Sequence, residues 1–292
     1  MEQTIFKKPK TAVLSKYGYS CVDMHFHTKY SDGLNKIKTV LKKARKKCVG
    51  IAITDHNAIS GAIEAHANAK GIMVIPAIEV STLDGPHAIF YFYSISELTE
   101  FYNKHVKDFK RADPFSSINK TLNEIVEDSM KFNCLRCLAH PSGYFRRDVR
   151  KFLEKDARNL KIMNNIDAVE VINGEHLRRD NLDAIELRKE FNKGFTGGSD
   201  GHSSGELGRV VTCSEGQNAE DFLNSIVKRK NFVIGKEIKF RRIPSHSIAI
   251  RRHLRFVRKR LIQRWSSRYD GIRLKIKRNG EIKIKKAKII KM

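Results

Sequence analysis

The chain contains 292 residues, of which 40% are hydrophobic and 30% are charged. This length suits one sizeable α/β domain with an appendage, or two small domains, and the apolar content argues against wholesale disorder. No apolar run approaches the ~20 residues of a membrane-spanning helix, and the N-terminal segment lacks the apolar stretch and cleavage site of a signal peptide. We therefore expect a cytoplasmic protein with no transmembrane segment.

The net charge of +25 is unevenly distributed. The 57 residues from Lys236 onward contain 21 Lys and Arg against 3 Asp and Glu, whereas the rest of the chain is close to balanced. A partner selected by positive charge would therefore bind this basic tail. We expect the chemistry to lie in the preceding part of the chain.

The five cysteines are odd in number and have no framework spacing, which indicates a reducing compartment. Cys134 and Cys137 form a single CxxC within the strand-like run Cys134–Ala139. A zinc site would need further cysteines or histidines, and a redox motif normally opens a helix. We interpret these two cysteines as ordinary buried residues.

Apolar runs and amphipathic stretches alternate along the first part of the chain. The runs are Cys21–Phe26, Val49–Ile53, Ile72–Val80, Ala88–Tyr93, Leu135–Ala139, Ala168–Ile172, Phe195–Gly198 and Val210–Cys213. The helical stretches are Lys36–Lys47, Ser60–Ala69, Ser117–Phe132, Val149–Leu160 and Leu182–Asn192. Apolar strands alternating with helices are typical of a mainly parallel sheet buried on both faces, here a closed or nearly closed β/α barrel. The rival is an open doubly wound sheet, but no phosphate-binding glycine loop follows the first strand.

The connection between the fourth and fifth of these strands is unusually long. This crossover segment, residues 96–132, reads as helical with a break at Asp113-Pro114. Two interpretations remain open: it caps the mouth of the barrel, or it is a long surface connection.

The basic tail has a different pattern. Within Ser247–Trp265, apolar residues recur at spacings of three and four between Arg and Lys, which predicts a basic amphipathic helix. Ile272–Lys277 and Ile282–Lys285 alternate apolar and basic residues around Asn279-Gly280, which predicts a β-hairpin. We therefore expect a lead-in over residues 1–20, a barrel over 21–235 and a basic helix-plus-hairpin extension over 236–292.

Histidines and carboxylates stand at the ends of most predicted strands. His25 and His27 project from the same side of the first strand. The others are His56 after the second strand, Glu79 in the third, His87 at the start of the fourth, His140 after the fifth, and Asp200 and His202 after the strand that ends at Gly198. Strand ends form the face where β/α barrels build active sites, and burying so many ionisable groups together is costly without a cation. The pattern therefore predicts a site for divalent metal ions.

Four motifs carry a resemblance to a known family: HFHTKYSDG, ITDHN, AHP and GSDGH, with Glu79 and His87 between them. Over Cys21–Cys213 the chain resembles the PHP (polymerase and histidinol phosphatase) superfamily. The resemblance implies a distorted (β/α)7 barrel, two or three metal ions and phosphoesterase activity. It is greatest with the small stand-alone members that hydrolyse nucleotide monophosphates or short nucleic acids. The segment between His87 and His140 is shorter than in the nucleotide-hydrolysing members, so the substrate stays open.

The resemblance also implies a set of ligands. His25, His27, Glu79 and Asp200 would hold a first metal, and Glu79 would bridge to a second held by His87 and His140. Asp32, His56 and His202 would hold a third. Asp55 and Asp23 would support this set by fixing the tautomer of an imidazole. Glu170 is open between a role beside the ligands and a core ion pair.

The chemistry implied is hydrolysis of a phosphoester by a metal-activated hydroxide. Mixed histidine and carboxylate ligands suit Zn, Mn or Fe better than Mg. Arg209, Arg146 and Arg178 are candidates for binding the phosphoryl group, and a solvated surface role is the alternative for each. The favoured substrate is a nucleotide or an oligonucleotide end.

Three partners remain open for the basic tail: nucleic acid, an anionic membrane surface or an acidic protein. The rival to an enzyme is a metal-stabilised protein that binds nucleic acid or a membrane surface with little or no turnover.

Overall fold

A computed structural model describes residues 3–111, 116–142, 149–238, 272–276 and 282–286. The chain divides into two compact units, Met1–Ile243 and Pro244–Met292. Among the described residues, no helix combines the length and apolar character required to cross a bilayer.

The strands follow one another closely along the chain. They are β1 (Thr4–Ile5), β2 (Ser20–Phe26), β3 (Gly50–Ile53), β4 (Val74–Ile75), β5 (Ala77–Ser81), β6 (His87–Phe92), β7 (Cys134–Leu138), β8 (Ala168–Asn173), β9 (Gly194–Gly198), β10 (Val210–Ser214), β11 (Phe232–Gly235), β12 (Ile272–Ile276) and β13 (Ile282–Lys286).

Helices separate most of these strands. They are α1 (Thr11–Lys16), α2 (Ile37–Lys47), α3 (Ser60–Ala67), α4 (Ile95–Phe101), α5 (Leu122–Ser129), α6 (Val149–Lys155), α7 (Ala157–Lys161), α8 (Arg178–Glu190) and α9 (Ala219–Val227). A π-helical turn, Tyr102–Val106, extends α4, and a 3₁₀ turn, Ile162–Asn165, extends α7.

The first unit contains two sheets. One has the strand order β1-β11-β10-β2-β3-β4 and the other β5-β6-β7-β8-β9. At one junction Phe26 pairs with Gly201, just beyond β9, and at the other His56, just beyond β3, pairs with Glu79 of β5. These bridges close β2, β3 and β5 to β9 into a distorted seven-stranded ring. The predicted distorted (β/α)7 barrel is confirmed.

Strand direction departs from the predicted, mainly parallel arrangement around β6. This strand is antiparallel to both β5 and β7. Only five residues separate β5 from β6, which is too short for a helical crossover. The predicted strand Ile72–Val80 is also divided into β4 and β5 at Pro76, a residue that lacks the N–H donor a ladder needs.

The helical part of the crossover segment is shorter than predicted. The expected helix Ser117–Phe132 is reduced to α5, because the Thr121 hydroxyl accepts from Glu124 N and the Glu124 carboxylate accepts from Thr121 N. This reciprocal pair fixes the start of the helix. Residues Asp113-Pro114 of the expected break lie outside the described residues.

Two further features concern the ends of the barrel unit and its cysteines. The lead-in contributes β1, which pairs in parallel with β11. Cys21 and Cys213, directly opposite each other on β2 and β10, form a disulfide that the sequence did not indicate. Cys134 and Cys137 are free and buried, and burial raises the pKa of Cys134 to about 12. Their interpretation as buried residues agrees with this environment.

In the second unit, β12 and β13 pair in antiparallel fashion, as predicted. The register sets Arg273 opposite Lys285 and Lys275 opposite Lys283, and it sets Leu274 opposite Ile284. Because alternate residues of a strand belong to opposite faces, basic and apolar positions are segregated. The predicted helix Ser247–Trp265 lies outside the described residues.

Candidate metal centre

One rim of the barrel brings together all nine residues that the sequence indicated as ligands. The rim is formed by the carboxyl ends of the other strands and by the start of the antiparallel β6, where His87 lies. Seven of the nine residues are buried, and Asp200 and His202 are partly exposed at the mouth. His25 and His27 face the same point from alternate positions of β2, as strand geometry requires. The arrangement joins residues as distant in sequence as 25 and 202.

Four ligand atoms form a compact group at the centre. The Nε2 atoms of His25 and His27 are 3.1 Å apart. Glu79 Oε2 lies 3.3 and 3.4 Å from these two nitrogens, and Asp200 Oδ1 lies 3.4 and 3.0 Å from them. Four ligands at tetrahedral bond lengths of about 2.0–2.1 Å from one ion are separated by about 3.3 Å. The spacing therefore fits a single divalent ion.

Glu79 connects this group to a second one. Its Oε1 atom lies 2.9 Å from His87 Nδ1 and 3.1 Å from His140 Nε2. The two oxygens of one fully buried carboxylate thus face two different sets of imidazoles. Such an arrangement suits a carboxylate that bridges two cations.

A third group forms around Asp32. Its Oδ2 atom lies 3.0 Å from His202 Nε2 and 3.6 Å from His56 Nε2. The other nitrogen of His56, Nδ1, lies 2.9 Å from Glu79 Oε2. His56 therefore stands between the third group, where the resemblance placed it, and the first.

The hydrogen bonding of Glu79 tests whether cations fit here. Its Oε2 atom is completely buried and accepts no hydrogen bond, although three imidazole nitrogens lie within 3.4 Å. A buried carboxylate oxygen without a donor is costly. A divalent ion bound between Glu79 Oε2 and the imidazole nitrogens would satisfy the lone pairs of this oxygen. The residues present therefore fit divalent metals.

The electrostatic balance keeps the carboxylates of the cluster ionised. Burial raises the pKa of Asp32, Glu79 and Asp200, but the surrounding imidazoles outweigh it and hold each pKa well below its usual range. Burial also disfavours the charged imidazoles, yet Asp200 raises the pKa of His25 and Asp32 raises that of His202 to about 10. The cluster is thus built around anionic oxygens, which hold cations.

The contacts of Glu170 decide between its two interpretations, a role beside the ligands and a core ion pair. Its Oε1 atom lies 3.0 Å from His25 Nδ1, and its Oε2 atom accepts from the backbone N–H of His140 at 2.9 Å. A carboxylate behind a metal-binding imidazole fixes its tautomer and orientation. Glu170 therefore stands beside the ligands and not in a separate core pair.

Asn173 is a functional residue that the sequence interpretation missed. Its amide Nδ2 donates to Glu170 Oε2 at 3.0 Å and to Asp200 Oδ2 at 3.2 Å. A bulge in β8 between Glu170 and Ile172 lets both polar side chains reach the cluster. The sequence signal that could have indicated Asn173 was its position at the end of β8, because the candidate ligands also lie near strand ends.

Asp23 and Asp55 do not take the role expected of them. Asp23 accepts from Ser199 N, Ser199 Oγ and Gly208 N at 2.6–2.8 Å. Asp55 accepts from Thr28 and from Ser31 Oγ at 2.6–2.7 Å. Neither carboxylate is hydrogen-bonded to an imidazole in the described part of the chain. Both instead hold the loops that carry the ligands, and Glu170 orients His25.

Backbone strain also gathers at this rim. Asn57, His140 and Asp200 adopt positive φ values of 47°, 33° and 48°, in loops that follow β3, β7 and β9. Left-handed conformations of non-glycine residues cost of order 1–3 kcal/mol each and persist where the surroundings enforce them. The hydrogen bonds from His140 N to Glu170 and from Asn57 N to Glu79 O supply part of that enforcement.

Two of the three candidate arginines, Arg178 and Arg209, form ion pairs with carboxylates. Arg178 Nη2 lies 2.7 Å from Glu237 Oε1, and the guanidinium covers the ring of Phe6. Arg209 lies 3.4 Å from Glu175 and 3.8 Å from Glu206. Arg146 lies outside the described residues.

The crossover segment touches the loops that carry the cluster. Asn57 Nδ2 donates to Ser116 O at 3.0 Å, and Ile118 N donates to Ser81 O at 2.9 Å. Asn57 directly follows His56, and Ser81 Oγ lies 3.2 Å from His56 Nδ1. The described part of the segment is therefore held against loops of the rim, and its role as a cap of the mouth stays a prediction.

Comparison with known proteins identifies the family. The sequence profile of the PHP domain matches residues 23–237, which is most of the chain. The chain belongs to the PHP domain family. The resemblance that the motifs carried is therefore confirmed, and the solved structures with this fold include one described as containing a predicted PHP-like metal-dependent phosphoesterase.

One curated relative matches over a short part of the chain. An uncharacterized protein of Methanocaldococcus jannaschii is 36% identical over 77 residues, which are 22% of this chain and 45% of that protein. The chain thus matches less than half the length of this relative.

Two solved structures share the PHP fold. The lesion-specific endonuclease EndoQ from Pyrococcus furiosus superposes with a TM-score of 0.61 at 18% identity, covering 74% of this chain and 57% of that one. A two-domain protein from Bacteroides vulgatus with a predicted PHP-like metal-dependent phosphoesterase gives a TM-score of 0.56 at 15% identity, covering 81% and 69%.

Proposed function

We propose that the protein hydrolyses a phosphoester of a nucleotide or of a nucleic-acid end, with two or three divalent ions held by the nine clustered residues. The observation that carries the proposal is the position of Glu79, whose two oxygens face separate groups of imidazoles. Adjacent cation sites joined by one carboxylate are typical of phosphoester hydrolysis.

The side chains have distinct tasks in this proposal. His25, His27, Glu79 and Asp200 hold one ion, Glu79 with His87 and His140 holds another, and Asp32, His56 and His202 hold a third. Glu170 keeps Nε2 of His25 directed at the cluster by engaging Nδ1. Zn, Mn or Fe, when bound, supplies Lewis acidity that activates water and offsets charge on the phosphoryl oxygens.

Nucleic acid is the substrate class that the remaining features favour. The basic tail contains 21 Lys and Arg, and phosphate contacts from such segments give salt-dependent binding. Endonuclease Q, a structural neighbour, has been solved with a 27-mer duplex that carries an abasic lesion at its active site. A phosphodiester or terminal phosphate of DNA or RNA is therefore the first substrate to test. An anionic membrane and an acidic protein remain the rival partners of the tail.

Turnover of a small substrate tests the enzyme against the rival, a metal-stabilised binding protein. We expect the protein with added Mn²⁺ to hydrolyse an aryl phosphate and to lose this activity on chelation. Asp200→Ala should lower the rate more than about 100-fold, because it removes a direct ligand. The control is Asp183→Ala, an exposed position on α8.

The outcomes separate the two hypotheses. Retained metal with no turnover of any phosphoester would favour the binding protein. A screen across nucleotides, oligonucleotides and sugar phosphates then identifies the substrate.

A further inference from the structure

Among the residues that the structure describes, Lys110 is a cation near the cluster that has no acidic partner. Lys110 follows the π-helical turn of the crossover segment and is partly buried. Its Nζ atom donates to Tyr102 OH at 2.7 Å and to Asn57 O at 3.4 Å, and it lies 5.2 Å from the centroid of the Tyr102 ring. All these partners are neutral.

Other cations near the mouth differ in this respect. Arg178 pairs with Glu237, Arg209 with Glu175, and Lys120 with Asp128. Within the described ranges, no carboxylate lies within ion-pairing distance of Lys110. Its charge is therefore available to an anion, whereas the charges of the candidate arginines are compensated.

The position of Lys110 connects it to the metal centre. Asn57, whose carbonyl oxygen it contacts, directly follows the candidate ligand His56. Hydrogen bonds from Asn57 Nδ2 to Ser116 O and from Ile118 N to Ser81 O hold the crossover segment against the same loops. The ammonium group is thus held beside the loop that follows His56, by its own contact with Asn57 O and by the backbone contacts of the residues that follow it.

Electrostatics indicate what this arrangement accommodates. A partly buried ammonium beside sites for divalent cations experiences repulsion that neutral oxygens do not compensate. An anion bound between the ammonium and the cations offsets that repulsion. Lysine is a common point-charge ligand for phosphate.

We infer that Lys110 binds a non-bridging oxygen of the substrate's phosphoryl group and positions it over the metal cluster. This inference rests on the proposed function, because it assigns a residue of the same site. It also assigns substrate binding to a residue of the crossover segment. The sequence had indicated Arg146, Arg178 and Arg209, which lie outside this segment.

Direct binding of inorganic phosphate to the Mn²⁺-loaded full-length protein tests the inference without relying on turnover. We expect Lys110→Met to weaken phosphate binding about 10-fold by calorimetry, and Lys110→Arg to recover part of the affinity. Lys110→Gln is a second neutral variant in case the methionine disturbs folding. The control is Lys107→Met, which removes an exposed lysine from the same segment.

Kinetics and metal content separate a binding role from a structural one. If Lys110 binds substrate, KM for an aryl phosphate rises about 10-fold in Lys110→Met, while kcat, bound metal and thermal midpoint stay close to those of Lys107→Met. A structural role would lower the thermal midpoint or the metal content together with kcat.

Two results distinguish a failure of the role of Lys110 from a failure of the proposed function. Equal phosphate affinities in Lys110→Met and Lys107→Met overturn the role of Lys110, whatever the turnover of the wild type. Phosphate binding that depends on Lys110, in a protein that hydrolyses no phosphoester, overturns the proposed function and leaves the anion site intact.

Discussion

Glu170 contacts His25 through a 3.0 Å approach of Oε1 to Nδ1, so that Nε2 of the imidazole faces the cluster. The other oxygen of Glu170 accepts from the backbone N–H of His140. One carboxylate therefore orients residues of two of the proposed metal sites. This arrangement makes Glu170 the most informative supporting residue to replace.

Glu170→Gln should weaken metal binding about 10- to 100-fold. In either orientation of the new amide, its NH₂ group meets a donor, either the Nδ1–H of His25 or the N–H of His140. Competition with a chromophoric chelator measures the affinity. Glu186→Gln, an exposed change on α8, is the matched control. Equal affinities in the two variants would remove Glu170 from the support of the site.

Gly198→Ala should destabilise the barrel at the point where β9 packs against β2. A Cβ atom at this glycine would lie 2.3 Å from His25 Cβ and 2.4 Å from His25 N, so the backbones would have to separate. Overpacking of this kind costs about 1–3 kcal/mol. Urea unfolding measures the loss.

Gly205→Ala is the control for this substitution. Its new Cβ would meet only Ser203 Oγ, at 3.7 Å, an ordinary contact distance. If both variants unfold at the same urea concentration, β9 and β2 are not packed as closely as the structure shows.

The disulfide between Cys21 and Cys213 should be detectable as missing thiols. Thiol titration of the protein denatured without reductant should find Cys48, Cys134 and Cys137 only, and all five after reduction. Because the bond joins residues 192 apart, its removal should lower the free energy of unfolding by about 2–5 kcal/mol. Five thiols in unreduced protein would show that the two cysteines are adjacent but not bonded.

The hairpin should contribute to nucleic-acid binding through its basic positions. Lys275 and Lys283 are partners in the register of β12 and β13, so the two basic positions belong to the same face of the pair. Replacing both with Gln should reduce the slope of log K against log salt by about 2, since each phosphate contact contributes about one. Oligonucleotide titrations at several salt concentrations measure this slope.

The control for the hairpin carries the same change in charge elsewhere. Lys42 and Lys46 are exposed on α2 and are replaced by Gln. An identical slope in both double variants would indicate that the tail acts through general charge or binds a different partner.

The order of strands and the chemistry of the site were readable from short stretches of sequence. Apolar runs predicted the barrel strands because a short, almost entirely apolar stretch is typical of a strand that is buried on both faces. The candidate ligands stand at strand ends, and successive strand ends meet at one rim. His25, Glu79, His140 and Asp200 could therefore be brought together from sequence without knowing any distance.

Pairings between distant residues required the tertiary structure. Asp23, Asp55 and Glu170 are all acidic residues near strand ends, yet only Glu170 reaches an imidazole, because the barrel sets it behind His25. Arg178 is near a strand end too, but Glu237 neutralises it from 59 residues away.

The sequence by itself thus determined the barrel, its family and the set of candidate ligands. The tertiary structure decided which carboxylate orients which ligand, which of the described arginines pair with a carboxylate, and how Cys21 meets Cys213. The physical reason is the separation in sequence over which each interaction acts. Burial and strand periodicity depend on neighbouring residues, whereas hydrogen bonds and ion pairs depend on directions and distances that only the folded chain defines.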